Sequence, residues 1–325
     1  MQNKRESFCV YTDLAVEEKE SFPGNGGEIK GVSLRESKDE ASGISLTEVV
    51  IKNKEGERNM GKPVGTYLTL EAEGLKERSG DGHKEVVDEL SRMLRTLLKQ
   101  NGICPSKDGG ILAVGLGNPD ATPDSLGPRV LEKLPMTRHL NMEYGRDFCR
   151  ENGYPILSGI IPGVMAQNGM ETAEILRGII AETKPAAVLA IDALAARSIH
   201  RLGITIQLTD TGIHPGSGVG NHRNGLTRES LGIPVFAIGV PTVVGAAAVV
   251  HGTVEAMIEA LKKEACVKNY GDYMENMDQE EQYELIREIL EPQFGPMYVT
   301  PHNIDERVED LSITISEAIQ EALFR

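Results

Sequence analysis

Residues 111–128 read ILAVGLGNPDATPDSLGP. The first five have no polar face, a glycine-rich turn follows, and Thr122-Pro123 then has the form of a helix N-cap with proline at the first helical position. The unit is a strand, a turn and a helix. A strand that is apolar on both faces has to be covered on both, which is what a parallel sheet between helical layers provides. The turn is not a dinucleotide loop. After Gly115 and Gly117 the third glycine of GxGxxG is replaced by Asp120, and Asp120 with Asp124 would repel a pyrophosphate.

Outward from this unit the same alternation continues. AAVLAID at 186–192, TIQLTD at 205–210 and PVFAIGV at 234–240 are further short apolar runs, and the helices between them are expected over 122–134, 170–182 and 245–263. Upstream, TYLTLEAEG after Gly65 alternates as a strand. Val86, Val87, Leu90, Met93, Leu94, Leu97 and Leu98 then repeat at helical spacing up to a stop at Asn101-Gly102. Residues 20–64 are polar and charged and are expected to form an irregular arm or insert, with Leu46–Ile51 as an edge strand. Residues 268–325 are expected to add C-terminal helices, at 279–290 and 302–323, the second with Thr300 as N-cap and Ile304, Val308, Leu311, Ile315 and Ile319 as its buried stripe. The fold class predicted is α/β, a Rossmann-like three-layer sandwich with a mostly parallel sheet.

Composition narrows the function. With 34 basic against 49 acidic residues the formal charge is −15, which offers no basic patch for nucleic acid. Cys9, Cys104, Cys149 and Cys266 lack CxxC or CxxH spacing, so they read as free thiols in a reducing compartment. The first residues contain no apolar core of a secretory signal. The uncharged run at 231–250 is interrupted by Gly232, Pro234, Gly239, Pro241 and Gly245, and reads as strand, turn and helix rather than a membrane span. A cytoplasmic location is expected.

Open α/β sheets collect functional groups at the carboxyl ends of their strands. Asp124, in the first turn of its helix, has the macrodipole to favour its ionised form, and by itself it is accounted for as a helix-terminus acid. Asp192 follows an apolar strand, among apolar walls that would raise a carboxyl pKa, and reads equally as structural or functional. Together the two have the ingredients for activating a water and protonating a leaving amine. TDTGIHPGSGVGNHR at 209–223 groups Asp210, His214 and His222 with four glycines, a stretch that must approach something closely. Its histidines have no familiar zinc spacing, and no metal or cofactor is expected. GIIPGVMAQNGMET, within 158–172, runs from a strand end into a helix, with Val164 and Met165 able to line a groove or to pack in the core. The sequence contains no G-x-S-x-G, HExxH or P-loop motif.

The blocks VGLGNPDATPDSLGP, GIIPGVMAQNGMET, AIDALAARS, TDTGIHPGSGVGNHR and LGIPVFAIGVPTVV, in this order, resemble those of the germination proteases, endopeptidases of spore-forming bacteria made as zymogens. The resemblance runs from about Tyr11 to the C-terminal helix. It implies an atypical aspartic endopeptidase whose fold is similar to hydrogenase maturation endopeptidases (phosphorylase/hydrolase-like), with Asp124 and Asp192 as the catalytic pair and Asp210 and His214 as supporting residues. It further implies a propeptide, residues 1–13, cut at Asp13-Leu14 before a single peptidase domain at 14–325, with Thr12-Asp13-Leu14-Ala15 matching the acid-hydrophobic-alanine pattern of the substrates. Those substrates would be small acid-soluble spore proteins, the assembly a homotetramer, and the location the forespore or spore core. Gly245 stands where relatives are expected to carry an acid. A metal-dependent processing peptidase and a non-catalytic binder of spore proteins are the competing readings.

Overall fold

The computed structural model describes residues 12–20, 29–75, 81–104, 109–216, 224–263, 283, 285–286, 288–290 and 297–324. Cys9, Cys266, His222 and residues 1–11 of the expected propeptide lie outside these, as does most of the expected helix 279–290, whose described residues are helical.

Nine strands among the described residues form one sheet: β1 (Val32–Lys38), β2 (Ser45–Ile51), β3 (Gly65–Glu71), β4 (Ile111–Gly115), β5 (Leu157–Ile160), β6 (Ala187–Ala196), β7 (Thr205–Thr209), β8 (Val235–Gly245) and β9 (Tyr298–Val299). Their order is β1-β2-β3-β7-β8-β6-β4-β5, with β9 paired to the end of β8. The half from β8 to β5 is parallel, and β1, β2, β3 and β7 continue it antiparallel. The sheet is therefore mixed rather than mostly parallel. The difference comes from β7 and β3, which run antiparallel to the strands beside them, and from the segment expected to be an irregular arm, which adds β1 and β2 and the short helix at Lys54–Met60. That segment reads as polar because β1 is an edge strand held by backbone pairing, with even Leu34 exposed. Leu46–Ile51 falls in β2, one strand in from the edge.

The α-helices bounded among the described residues are, in chain order, α1 (Ala15–Glu20), α2 (Lys54–Met60), α3 (Asp81–Gln100), α4 (Leu126–Glu132), α5 (Arg138–Glu151), α6 (Met165–Asn168), α7 (Thr172–Thr183), α8 (Arg228–Leu231), α9 (Ala246–Lys263) and α10 (Ile304–Phe324). One face of the sheet carries α3, α4 and α10. Leu90, Leu94, Leu97, Val130, Leu311 and Ile315 pack there on the inward side chains of β4, β6, β7 and β8. The expected stripe of the last helix is in place, but the helix begins at Ile304: Thr300 donates its hydroxyl to the Thr242 carbonyl (3.0 Å) instead of capping, and Arg307 N–H donates to Asn303 O in the first turn. The other face carries α7 and α8 on Leu112, Val114, Val188 and Ala190, and α1 near Leu194 and Val244. Layers on both faces explain why the central strands needed no polar side. No helix of the described residues is long and apolar enough to cross a membrane. The uncharged run expected to be strand and helix is β8 followed by α9.

Glycine fixes the way α4 meets the sheet. A Cβ on Gly127, in the first turn of α4, would collide with the carbonyl oxygens of Leu116 and Ile191, and one on Gly115 would collide with the Gly127 carbonyl. Backbone rests directly on backbone. Gly127→Ala should lower the unfolding free energy by about 1–3 kcal/mol, as overpacking does elsewhere, and a lower urea midpoint with an unchanged m-value would show it.

Candidate active site

That contact determines where Asp124 goes. The Leu116 N–H donates to the Ile191 carbonyl (2.8 Å), tying the end of β4 to β6. The chain then turns through Gly117 at φ 111°, where a Cβ would collide with the Asp124 carbonyl oxygen. Asp124 closes a 3-10 turn, Thr122–Asp124, ahead of α4. This corrects the expected single helix from 122, and Thr122 is not its cap: the residue before the turn is Ala121, and Thr122 instead offers its carbonyl to Ser125. One Asp124 carboxylate oxygen accepts the Asn118 N–H (2.7 Å).

Asp192 does not end a strand as expected. It lies within β6, which runs on to Ala196 because the small apolar residues of ALAA keep pairing with β8 as far as Val244. β4, however, stops opposite Ile191, so Asp192 is where β6 loses its neighbour on one side. It is 5% exposed and accepts the Ala193 N–H (2.9 Å). Asp124 and Asp192 open into one cavity of about 260 Å³, whose walls include Asp13, Val164, His214 and Tyr298. Met165 and Gly245 are not among its lining residues, and a side chain at Gly245 would meet open space.

His214 also lines a second cavity of about 190 Å³, with Asp13 and Leu194 again shared and Lys62, Tyr67 and Gln207 added. Burial pushes the His214 pKa down, the Lys62 charge lowers it further, and Asp13 opposes both. Asp210 is placed elsewhere. Its carboxylate accepts the Thr66 N–H (2.8 Å) and the Asn101 side-chain N–H (3.0 Å), fastening the end of β7 to β3 and to the end of α3. Among the described residues no three His, Cys, Asp or Glu side chains gather as metal ligands.

Asp13, on the wall of both cavities, belongs to a docked segment of the chain itself, Thr12–Ala15. The Asp13 N–H donates to the Ala195 carbonyl (3.2 Å), and the Asp13 carboxylate accepts the Ala195 N–H (2.9 Å). Gln207 grips both sides of the Asp13-Leu14 bond: its amide N–H donates to the Asp13 carbonyl (3.2 Å) and its amide oxygen accepts the Ala15 N–H (2.7 Å). Lys62 donates to the Thr12 carbonyl (2.8 Å). Leu14 is fully buried among Leu194, Ala196, Leu202 and Val244. Below it Glu17 accepts from Thr12 Oγ1, Arg197 N (2.8 Å) and Ser198 N (2.9 Å), anchoring α1. Sequence reasoning missed Lys62 and Gln207. The polar Gln207 inside the apolar run TIQLT was a signal for one, while nothing local marked Lys62.

Two carboxylates in one cavity beside a docked length of chain suit the hydrolysis of a polypeptide, since one can take a proton from water while the other gives one to the leaving nitrogen. Known proteins point to the same class. A family profile described as germination protease matches residues 10–274. A germination protease of Caldanaerobacter subterraneus subsp. tengcongensis is 44% identical over 315 residues, spanning 97% of this chain and 94% of the relative. Germination proteases of Clostridium tetani (42% identical, 97% of this chain and 96% of theirs) and Bacillus pumilus (37%, 98% and 94%) are similar over their lengths too. The chain belongs to the germination protease family, and is thus a protease, a hydrolase of peptide bonds.

The lowered pKa of His214 has a consequence for stability. Between the lowered folded value and the ordinary value of 6.5, the unfolded chain binds the proton that the folded chain refuses. The His214 contribution is therefore fully present above the unfolded value and is lost as pH falls through the folded one. His214→Asn should lose less Tm than the parent between about pH 7.5 and about pH 5, as read by calorimetry at several pH values.

Proposed function

We propose that this protein is a zymogen endopeptidase of the aspartic type that initiates degradation of small acid-soluble spore proteins during germination. It cuts after an acidic residue and before a hydrophobic one, and it first removes its own residues 1–13 at Asp13-Leu14. The observation that carries this reading is that Asp13 lines the same cavity as Asp124 and Asp192. The residue expected to precede the cut thus shares a cavity with the two groups expected to make it.

In the reaction, a water deprotonated by one carboxylate attacks the Asp13 carbonyl carbon, forming the new C–O bond. Gln207, which already donates to that carbonyl oxygen, holds the group in place as charge builds on it. The tetrahedral intermediate collapses with loss of the C–N bond, and the Leu14 nitrogen takes its proton from the other carboxyl. The pair shares both roles as a coupled unit. The apolar setting of Leu14 supports a hydrophobic residue after the cut, and Ala15, also fully buried, supports a small residue next. His214, against both cavities, is a supporting group, and Asp210 supports the sheet end from which that loop leaves. Helices on both faces and an acid at the rim of a parallel half-sheet fit a Rossmann-like sandwich of the hydrogenase-maturation-endopeptidase kind. A homotetramer working in the forespore completes the reading.

Asp124→Asn and Asp192→Asn should each slow cutting of a small acid-soluble spore protein by at least about 100-fold, while a chelator leaves the parent unaffected; mass spectrometry of the products would locate the cut. Cutting that a chelator abolishes would point to a metal-dependent peptidase, and cutting that survives both substitutions would remove the pair from the mechanism.

A further inference from the structure

The cavity beside Asp13 contains a cation that the reaction above does not use. Lys62 sits on the loop between α2 and β3, directly after Gly61, whose φ of 61° ends α2 in the left-handed region. It lines the same cavity as Asp13, and its ammonium donates to the carbonyl of the preceding residue, Thr12 (2.8 Å). Burial pushes its pKa down, and the charge that most opposes this is that of Asp13, followed by Glu18 and Glu17. Those two glutamates also hold α1 in place. Glu17 accepts from Arg197 N, Ser198 N and Thr12 Oγ1, and Glu18 pairs with the Arg197 guanidinium (3.3 Å). Arg197, the remaining cation acting on Lys62, is thus engaged with α1, and His214, on the same cavity wall, is held towards its neutral form.

We propose that Lys62, with the Ala195 N–H, reads the acidic side chain on the amino side of the bond to be cut: Asp13 in the chain itself, and afterwards the corresponding acid of a protein substrate in the same place. This rests on the cleavage at Asp13-Leu14 argued above. A partly buried ammonium supplies the discrimination, because a neutral residue would remove the charge that most offsets its burial, whereas a carboxylate meets both that charge and the Ala195 donor. The Lys62 bond to the Thr12 carbonyl fixes the chain one residue upstream, so the acid is read at one register only.

A double-mutant cycle on self-cleavage of the full chain tests this against a role for Lys62 as a mere tether of Thr12. Asp13→Asn keeps the shape of the side chain and the Thr12 contact but removes the charge, and Lys62→Met removes the reader. Intact mass against time gives the rate of loss of residues 1–13. Each single substitution should slow cleavage about 10- to 100-fold. The double variant should be within about threefold of the slower single one, since the second change removes an interaction already gone. Lys62→Arg should keep most of the rate. Slowings that multiply in the double variant, or a Lys62→Met chain that cleaves at the parent rate, would overturn the proposal. Asp124→Asn run alongside separates the two readings. If it leaves self-cleavage intact, the carboxylate pair fails while the cycle still decides Lys62, and a parent chain that never cuts at Asp13-Leu14 overturns both.

Discussion

Everything at the site depends on one backbone-on-backbone contact, the first turn of α4 resting on the ends of β4 and β6. Gly115 and Gly127 leave no room for a Cβ on either side, and Leu116 bonds across to Ile191. With the helix seated this closely, the turn that precedes it has one path, and that path carries Asp124 to the cavity where Asp192 already faces. A displacement of the helix by the width of a methyl group would move one carboxylate and leave the other. The precision of the pair is a packing property before it is an electrostatic one.

The second layer of organisation is the docking of Thr12–Ala15 on the face opposite α4. It is held mainly by polar groups, some on its main chain and one on the Asp13 carboxylate: the Ala195 backbone, both ends of the Gln207 amide and the Lys62 ammonium. Leu14 adds apolar burial, and the Glu17 cluster fixes α1 immediately downstream. Contacts of this kind are consistent with the role proposed above for the segment, since main-chain bonds give affinity while the side chains to either side select the sequence.

The antiparallel half of the sheet supports this arrangement from a distance. β7 belongs to it and supplies Gln207, which lies opposite Gly239 of β8, itself opposite Asp192 of β6. The residue that grips the bound chain and one of the paired acids thus stand in one row across three strands. Asp210, at the end of β7, ties that strand to β3 and α3 instead of entering the cavity.

The sequence by itself determined the α/β class, the central strands at 111–115, 205–209 and the first part of 235–245, the long helix ending at Gly102, and the stripe of the last helix. These follow from local periodicity and from glycine and proline, and they needed no knowledge of neighbours. The resemblance of its blocks to the germination proteases, rather than any periodicity, is what pointed to Asp124, Asp192 and the Asp13-Leu14 bond. Only the tertiary structure decided that the polar segment 32–38 forms a strand and that Leu46–Ile51 lies one strand in from the edge, because an edge strand is stabilised by pairing and leaves its side chains free to be hydrophilic. It alone separated His214 from Asp210, four residues apart in the chain and different in surroundings, and brought Lys62 and Gln207 to the same short segment. Hydrogen bonds and charge contacts across such separations have no periodicity to announce them, since they exist only once the sheet has closed and the N-terminal segment lies across it.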